Sequence, residues 1–227
     1  MVNAQSNNCY ADTIFNIRNE EMYLNTDKYK EVILKKDSTI IINKNFEVRF
    51  IVLSNGIILN VKSDKKLGIQ KNITYSPNGK IQNVNFNNYQ GESSIYKELN
   101  FNEKGEIIST LNYDKGYSIC WSEAIEICKK LVGKKAIKKY AIQEFIIMNR
   151  IDLNKYPNDK ATWFVRPIAQ GLNGKGYDND SENKYFLHNK GNLWFHIDGA
   201  DGKLVGKSIH WTEDGYLTKV KQLKIKN

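Results

Sequence analysis

The groups in this sequence with the most reactive chemistry are three histidines and three cysteines. The histidines all fall in the last predicted hairpins, at His188, His196 and His210. A zinc site needs such side chains to converge, with neighbouring groups that orient their second ring nitrogens. With turns centred on the glycines of this region, His196 pairs with about Val205 and His188 with about Leu193, so no histidine faces another. We therefore expect no metal site and no cofactor.

The acidic turn DGADG, residues 198–202, is a second candidate for metal binding. Calcium loops of the helix-loop-helix type place oxygen ligands at alternate positions over about twelve residues and end in a bidentate Glu. Here Asp198 and Asp201 are three positions apart, Lys203 follows, and the next carboxylate is Glu213. Aspartates also stabilise turns by accepting hydrogen bonds from nearby backbone amides. The segment therefore predicts a turn between two strands.

The three cysteines allow at most one internal disulfide. Cys120 and Cys128 flank a helical pattern that separates them by about 12 Å, too far for a bond between them. A bridge would have to involve Cys9, and one thiol must remain. Cys128 lies on the apolar face of that helix, where a cysteine packs as a small hydrophobic residue. Whether Cys9 forms a disulfide stays open.

Motifs for catalysis are not found in the sequence. There is no GxSxG nucleophile elbow, and the glycines of residues 170–184 follow the order GxxGxG without the GK[ST] of a phosphate-binding loop. We therefore predict no catalytic residues and a protein that is not an enzyme.

The chain carries a formal charge of +9 at a sequence pI of about 9.2, which favours an acidic partner. Only four of its 34 basic residues are arginines. Proteins that read phosphates usually use arginine forks, so we do not expect nucleic acid to be the partner. No apolar run approaches the roughly 20 residues of a membrane span, so we expect no membrane insertion.

The first residues bear on localisation. The segment from Val2 to Gln5 resembles the end of a bacterial secretory signal, which predicts a periplasmic or extracellular protein whose signal peptide has been removed. A cytoplasmic protein with an ordinary start is the alternative.

Strand patterns cover most of the remaining sequence. The run FEVRFIVL, residues 46–53, alternates apolar and polar residues, and Asn55-Gly56 supplies the turn to a second strand at 57–61. Two β-branched runs upstream, 31–34 and 39–42, predict two more strands. Turn glycines then recur about every 11 residues, which is the spacing of antiparallel meanders.

A helical period interrupts these hairpins over residues 122–132. Ser122 is a suitable N-cap, and Gly133 ends the helix. The next run, 135–148, fits a helix or a buried strand, and both remain open. The predicted fold is α+β, with antiparallel β-meander sheets and one or two helices packed on the C-terminal sheet. We expect two domains, a β-rich hairpin domain over 1–118 and an α+β domain over 119–227.

Residues 170–184, QGLNGKGYDNDSENK, form the longest polar, glycine-rich stretch. A connection of this length is either mobile padding or a binding loop. Trp163 and Arg166 lie next to it and Tyr177 lies within it. Because Trp, Tyr and Arg are enriched at binding hot spots, we predict these three as partner-binding residues.

Several segments together resemble a PepSY domain. WSEAIEICKKLVG, residues 121–133, is similar to the helix that opens this domain. ATWFVRP, residues 161–167, and LWFHIDGADGKLVG, residues 193–206, are similar to its strands. The resemblance covers about residues 120–207 and implies a module that inhibits peptidases or takes part in extracytoplasmic regulation.

Two earlier hairpins, YSPNGKI from Tyr75 and FNEKGEI from Phe101, resemble MORN-variant repeats of antitoxin-like and surface proteins. Both resemblances imply binding rather than catalysis. We therefore expect a non-enzymatic protein-binding module, an immunity protein or inhibitor that occludes an acidic toxin or peptidase. The alternative is an envelope structural protein, or one that binds a glycan or peptide through its aromatic side chains.

Overall fold

The computed structural model describes residues 9–89, 93–169, 187–188, 191–213 and 216–223. The fold is α+β and mainly antiparallel, with 48% strand and 16% helix. The chain divides into two compact units. The N-terminal unit is Tyr10–Lys115, and the C-terminal unit comprises Cys9 with the chain from Gly116 onward, whereas the sequence places the boundary after residue 118. No described helix is both long and apolar enough to cross a membrane.

The N-terminal unit is a seven-stranded antiparallel meander in which each strand pairs with the next along the chain. Its strands are β1 (Asp37–Asn43), β2 (Phe46–Val52), β3 (Ile58–Asp64), β4 (Ile69–Tyr75), β5 (Ile81–Asn88), β6 (Ser94–Phe101) and β7 (Ile107–Asn112). The hairpin predicted at Asn55-Gly56 joins β2 to β3, with Gly56 at a φ of 80°. Such left-handed backbone favours glycine.

Alternation decides which face of this sheet is buried. In β4 every second residue is buried, and those residues include Ile69 and Ile73 at 0% exposure. The run from Glu31 to Leu34, predicted as a strand, is instead the short helix α1 (Lys30–Leu34). A four-residue apolar run does not by itself distinguish a strand from a turn of helix, so this prediction was wrong.

The segment before α1 covers the buried face of the sheet. Ile14, Phe15 and Leu24 are buried there, and the Phe15 ring lies 5.3 Å from that of Phe86, centroid to centroid. Two short 3-10 turns, Thr13–Phe15 and Asn19–Glu21, shape the segment. This irregular segment therefore closes the core of the N-terminal unit.

The C-terminal unit begins with two helices, α2 (Trp121–Val132) and α3 (Lys134–Lys139). Its sheet contains β8 (Ile142–Arg150), β9 (Thr162–Ala169), β10 (Leu187–His188), β11 (Gly191–Asp198), β12 (Leu204–Glu213) and β13 (Tyr216–Leu223). The strand order is β13-β12-β11-β9-β8, and β10 pairs with β11. Helix α2 contacts β8, β9 and β11.

Local signals account for the helices of this unit. The helix predicted over 122–132 is α2, and Gly133 follows it at a φ of 80°. The ambiguous run 135–148 is divided between α3 and β8, so each of the two readings describes one part of it. Asp198 accepts a hydrogen bond from the backbone N–H of Ala200, and Asp201 accepts one from that of Lys203, as turn aspartates do.

Candidate functional site

Strand β7 is one edge of the N-terminal sheet, and all six of its residues are exposed. Its sequence, IISTLN, contains no charge and no proline. The exposed fractions are 55% for Ile107, 64% for Ile108 and 37% for Leu111. An edge of this kind offers unpaired backbone N–H and C=O groups together with apolar side chains. It is therefore a surface onto which another extended segment can pair.

The other described edges of the two sheets carry more protection. Strand β1 contacts helix α1, and its Asp37 carboxylate pairs with Arg49. Strand β8 has two register shifts, and β13 carries Lys219 and Lys221. Lysines and bulges are the usual devices that prevent strand addition. β7 also contains one bulge, but of these four edge strands it is the one without a charged residue.

One β-bulge lies within β7. Asn100 pairs with Ser109 and Phe101 with Ile107, so Ile108 has no partner on β6. A bulge turns the side chain of the extra residue away from its neighbours. Residues Ser109–Asn112 remain in regular register. Ile108 therefore projects as an apolar residue beside a regular four-residue edge.

A cleft of about 200 Å³ lies at the start of this edge strand. Its lining residues come from the segment before α1, the β4–β5 hairpin and the β6–β7 hairpin: Met22, Tyr23, Lys80, Ile81, Glu103, Lys104 and Gly105. A neighbouring cleft of about 170 Å³ shares Lys80, Ile81 and Glu103. Tyr23 is 55% exposed on the rim. Tyr and Met are enriched at protein interfaces, so the cleft is suited to a partner side chain.

Backbone hydrogen bonds hold the cleft in shape. The Leu24 N–H donates to the Gly79 carbonyl at 2.8 Å, and the Ile81 N–H donates to the Met22 carbonyl at 3.2 Å. A Cβ at Gly79 would lie 2.5 Å from the Leu24 carbonyl oxygen, so only glycine allows this approach. The segment that carries Tyr23 is therefore fixed against the β4–β5 turn.

A buried ion cluster anchors the same segment. Glu21, 3% exposed, forms ion pairs with Lys62 and with Lys71, whose ammonium lies 2.5 Å from a Glu21 carboxylate oxygen. Burial alone would raise the pKa of Glu21. Hydrogen bonds from the Arg18 N–H and from the two lysines overcome it and lower that pKa to about 2. The carboxylate therefore stays ionised over the physiological range.

A row of amide side chains on the outer face of the sheet ends at β7. The donors and acceptors run Asn72 to Asn85 (2.9 Å), Asn85 to Asn83 (3.1 Å), Asn83 to Asn100 (2.8 Å) and Asn100 to Ser109 (3.0 Å). Three of these bonds cross to the next strand toward β7, and the bond from Asn85 to Asn83 lies within β5. Side-chain hydrogen bonds across strands restrict register, so the row helps to fix the position of the edge strand.

The predicted partner-binding residues belong to the C-terminal unit, whereas β7 belongs to the N-terminal unit. Trp163 is 0% exposed, and its indole N–H donates to the Ile119 carbonyl at 2.8 Å. Arg166 is half-buried, and alternation along β9 places it on the opposite face from Trp163. Trp163 can contribute to a binding surface only by supporting its neighbours. Tyr177 and the whole loop 170–184 lie outside the described residues.

Two of the three histidines converge, which the sequence reasoning missed. The Nε2 atoms of His196 and His210 lie 2.7 Å and 2.8 Å from the Ser208 hydroxyl oxygen. His196 is paired with Gly206, one position beyond the predicted Val205, and the register shifts again between His196 and Ile197. The signal in the sequence was the alternation SxH at 208–210, which places a hydroxyl and an imidazole on one face of β12.

Aromatic rings surround this histidine cluster, defined as His196, Ser208 and His210. The Trp194 ring stacks on His210 with centroids 3.6 Å apart, and the Phe164 ring lies 4.7 Å from that of His196. Burial lowers the pKa of His196. Burial and then the charge of His196 lower the pKa of His210 to about 4. Both imidazoles are therefore neutral at pH 7.

The cysteines form a bridge rather than a metal site. Cys9 and Cys120 are joined in a disulfide, and Cys128 is a buried free thiol whose pKa is raised by burial. Within the described residues, Cys9, Cys120 and Glu123 are the one group of three metal-ligating side chains whose ligand atoms all lie within 4.8 Å of one another. The disulfide removes both thiolates from metal binding.

Comparison of the chain with protein-family models and with curated proteins finds no match. The resemblances to PepSY domains and to MORN-variant repeats therefore rest on the segments that carry them.

Proposed function

We propose that this is a non-enzymatic, exported bacterial protein that binds another protein, acting as an immunity protein or inhibitor. In this proposal the partner adds an extended segment to strand β7 and places a side chain in the adjoining cleft. The observation that carries the proposal is that all six residues of this uncharged edge are exposed. Strand addition is a common mode of peptide recognition, in which backbone hydrogen bonds supply affinity and pockets for alternate side chains supply specificity.

The residues of β7 and the cleft provide what strand addition requires, which is free backbone groups and side-chain contacts. Ser109–Leu111 keep regular register, so their outward backbone groups can pair with another strand. Ile108 and Tyr23 provide apolar and aromatic contacts at 64% and 55% exposure. Because the amide row and the buried Glu21 hold both elements in place, little ordering entropy is lost when the partner binds.

Charge supports an acidic partner. The net charge of +9 arises mostly from lysines, and Lys80 and Lys104 line the cleft. Complementary charge increases association rates and discriminates against basic proteins. Occlusion of an acidic toxin or peptidase is the form of binding that this charge favours.

Export is supported by the disulfide between Cys9 and Cys120, because such bonds persist mainly in oxidising compartments. We therefore place the protein in the periplasm or outside the cell.

The C-terminal unit fits the same proposal as a PepSY-like module. Its order is helix and then sheet, and α2 contacts β8, β9 and β11 as a helix packed on the C-terminal sheet would. The hairpins at Gly79 and Gly105, both with φ above 80°, are the MORN-like part. In this arrangement the N-terminal sheet presents the edge that contacts the partner.

An immunity protein is expected to be encoded beside the gene of its larger toxin, so the test uses the product of the neighbouring gene. The two purified proteins should form a complex, and the activity of the partner should fall in proportion to the amount of bound protein, up to one equivalent. Ile108→Asp should weaken the complex about 30-fold, the size of a hot-spot loss. The affinity is measured by calorimetry.

Ile42→Asp is the matched control. Ile42 is the unpaired bulge residue of the opposite edge strand β1, at 58% exposure. Its replacement should change the affinity by less than about twofold, since it lies outside the proposed contact. Equal losses in the two variants would rule out β7 as the contact. A neighbouring gene product that neither binds nor is inhibited would rule out the immunity role.

A further inference from the structure

The histidine cluster of the C-terminal sheet has a hydrogen-bond arrangement that fits only one protonation state. Ser208 is 0% exposed, and its single hydroxyl hydrogen can go to one imidazole only. Both Nε2 atoms lie within 2.8 Å of its oxygen. One histidine must therefore accept from the hydroxyl while the other donates to it.

The surroundings assign the two roles. The Nδ1 atom of His210 is buried and has no hydrogen-bond partner among the described residues. A proton there would be an unsatisfied buried donor, so His210 carries its proton on Nε2 and donates to Ser208. Ser208 then donates to Nε2 of His196. A Cβ at Gly206 would lie 2.7 Å from Nδ1 of His196, so glycine at this position leaves room for the ring.

We infer that this cluster is an acid-sensitive element that holds β11 and β12 in register at neutral pH and loosens them in mild acid. The inference does not depend on the proposed binding function. A second proton on His210 would have to sit on the buried, unpartnered Nδ1. A proton on His196 would remove the acceptor of the Ser208 hydroxyl. Two protons would place two cations on either side of one buried oxygen.

Within the described residues, two aromatic rings and three charged side chains share the face of the cluster. Phe164 on β9 and Trp194 on β11 are the rings that contact the two imidazoles. From β13, Val220 is the residue paired with His210. The charged residues that alternation places on this face are Arg166 on β9, Glu144 on β8 and Asp198 at the end of β11. Arg166 opposes a second positive charge, and Glu144 lies on the strand beyond it.

The direction of the pKa shifts agrees with this geometry. Burial lowers the pKa of both imidazoles, and His196 lowers that of His210 further, to about 4. The unfolded chain takes up a proton at each histidine near pH 6.5. Below that pH the folded state binds fewer protons than the unfolded chain. The contribution of the cluster to the free energy of unfolding is therefore fully present above pH 6.5 and falls as the pH falls toward 4.

The test is urea unfolding of the full chain at pH 7.5 and pH 5.0, followed by tryptophan fluorescence. All four tryptophans, Trp121, Trp163, Trp194 and Trp211, belong to the C-terminal unit, so the signal reports this unit. The His210 shift should raise the unfolding equilibrium constant about 30-fold between these two pH values. His210→Gln should remove the His210 contribution to that rise, whereas His188→Gln, which removes a histidine outside the cluster, should leave it unchanged.

A second measurement protects the test from a variant that fails to fold. In wild-type protein with carbon-13-labelled histidine, NMR should show the His210 imidazole titrating near pH 4 and the His196 imidazole titrating below its ordinary pKa. His188→Gln should remove the third signal. Titration of all histidines near pH 6.5, or an equal pH dependence in His210→Gln and His188→Gln, would overturn the inference.

Discussion

Both units are built on antiparallel sheets, but they bury different polar groups. The N-terminal unit buries an ion cluster, in which Glu21 pairs with Lys62 and Lys71. The C-terminal unit buries a neutral chain from His210 through Ser208 to His196. The Glu21 carboxylate stays ionised from neutral pH down to strong acid, because its pKa is about 2. The hydrogen-bond chain of the histidine cluster is broken once either imidazole gains a proton.

The cover over each sheet differs as well. An irregular segment with two 3-10 turns closes the N-terminal core, whereas α2 contacts the C-terminal sheet. A helix satisfies most of its own backbone hydrogen bonds, but an irregular segment must find partners elsewhere. Glu21 supplies them, since its carboxylate accepts from the Arg18 N–H and its carbonyl accepts from Tyr75. Glu21 therefore gives the irregular segment hydrogen-bond partners of the kind that the helical backbone of α2 provides for itself in the other unit.

The largest effect is expected from breaking that cluster. Glu21→Gln should lower the free energy of unfolding of the N-terminal unit by about 3–5 kcal/mol, because it leaves Lys71 buried at 1% exposure without a counterion. The control is Glu20→Gln, which removes a neighbouring carboxylate that is 69% exposed. It should cost less than about 0.5 kcal/mol. Similar losses by chemical denaturation would contradict the anchoring role.

Acid titration should separate the two units. Glu21 contributes stability above its unfolded pKa of 4.5, and this contribution is lost as the pH falls toward about 2. The histidine cluster loses its contribution from pH 6.5 toward 4. Tryptophan fluorescence should therefore change at higher pH than the amide NMR signals of residues 10–115. A single coincident transition would show that the two contrasting clusters do not control the acid response.

The disulfide is expected to have the next largest effect. Cys9 and Cys120 are 111 residues apart, so the bond restricts a long loop of the unfolded chain. Reduction should lower the free energy of unfolding by about 2–4 kcal/mol, as for other disulfides. In the double variant Cys9→Ser, Cys120→Ser, the reductant should have no effect. If reduction left the free energy of unfolding of the wild type unchanged, the disulfide would not stabilise the C-terminal unit.

Two glycines are required for different reasons. Gly199 in the C-terminal unit is closely packed, whereas Gly68 in the N-terminal unit has a left-handed backbone conformation. A Cβ at Gly199 would lie 2.4 Å from a Tyr117 ring carbon and 2.9 Å from the Ala161 Cβ. Gly199→Ala should cost about 1–3 kcal/mol, the usual price of overpacking. Gly68 has a φ of 71° with nothing within 4 Å of its Cβ position, so Gly68→Ala should cost only about 1 kcal/mol. A larger loss at Gly68 in thermal unfolding would reverse this comparison.

Local signals in the sequence predicted the parts of the fold that local chemistry decides. Asn55-Gly56 predicted the β2–β3 hairpin, and Gly133 marked the end of α2. The convergence of His196 and His210 depends on where β11 pairs with β12. That register includes a shift between His196 and Ile197, which no nearby residue specifies. A change of one position alters which side chains meet across two strands.

The exposed edge was missed for a related reason. The sequence predicted hairpins around Gly105 but gave no sign that β7 ends the sheet, because strand order is a property of the whole fold. Trp163 and Arg166 were chosen by residue type, yet alternation along β9 places them on opposite faces. Residue type favours a binding role only when the exposed face is also known.

The smallest effect concerns the two edges of the N-terminal sheet, and it separates binding from stability. Ile108→Asp and Ile42→Asp each replace an exposed bulge isoleucine, at 64% and 58% exposure. Neither side chain is buried, so each change should alter the free energy of unfolding by less than about 0.5 kcal/mol. Urea denaturation of the two variants measures this directly. If Ile108→Asp alone destabilised the sheet by more than about 1 kcal/mol, β7 would be held by contacts of Ile108 within the chain, and its exposure would no longer favour a partner.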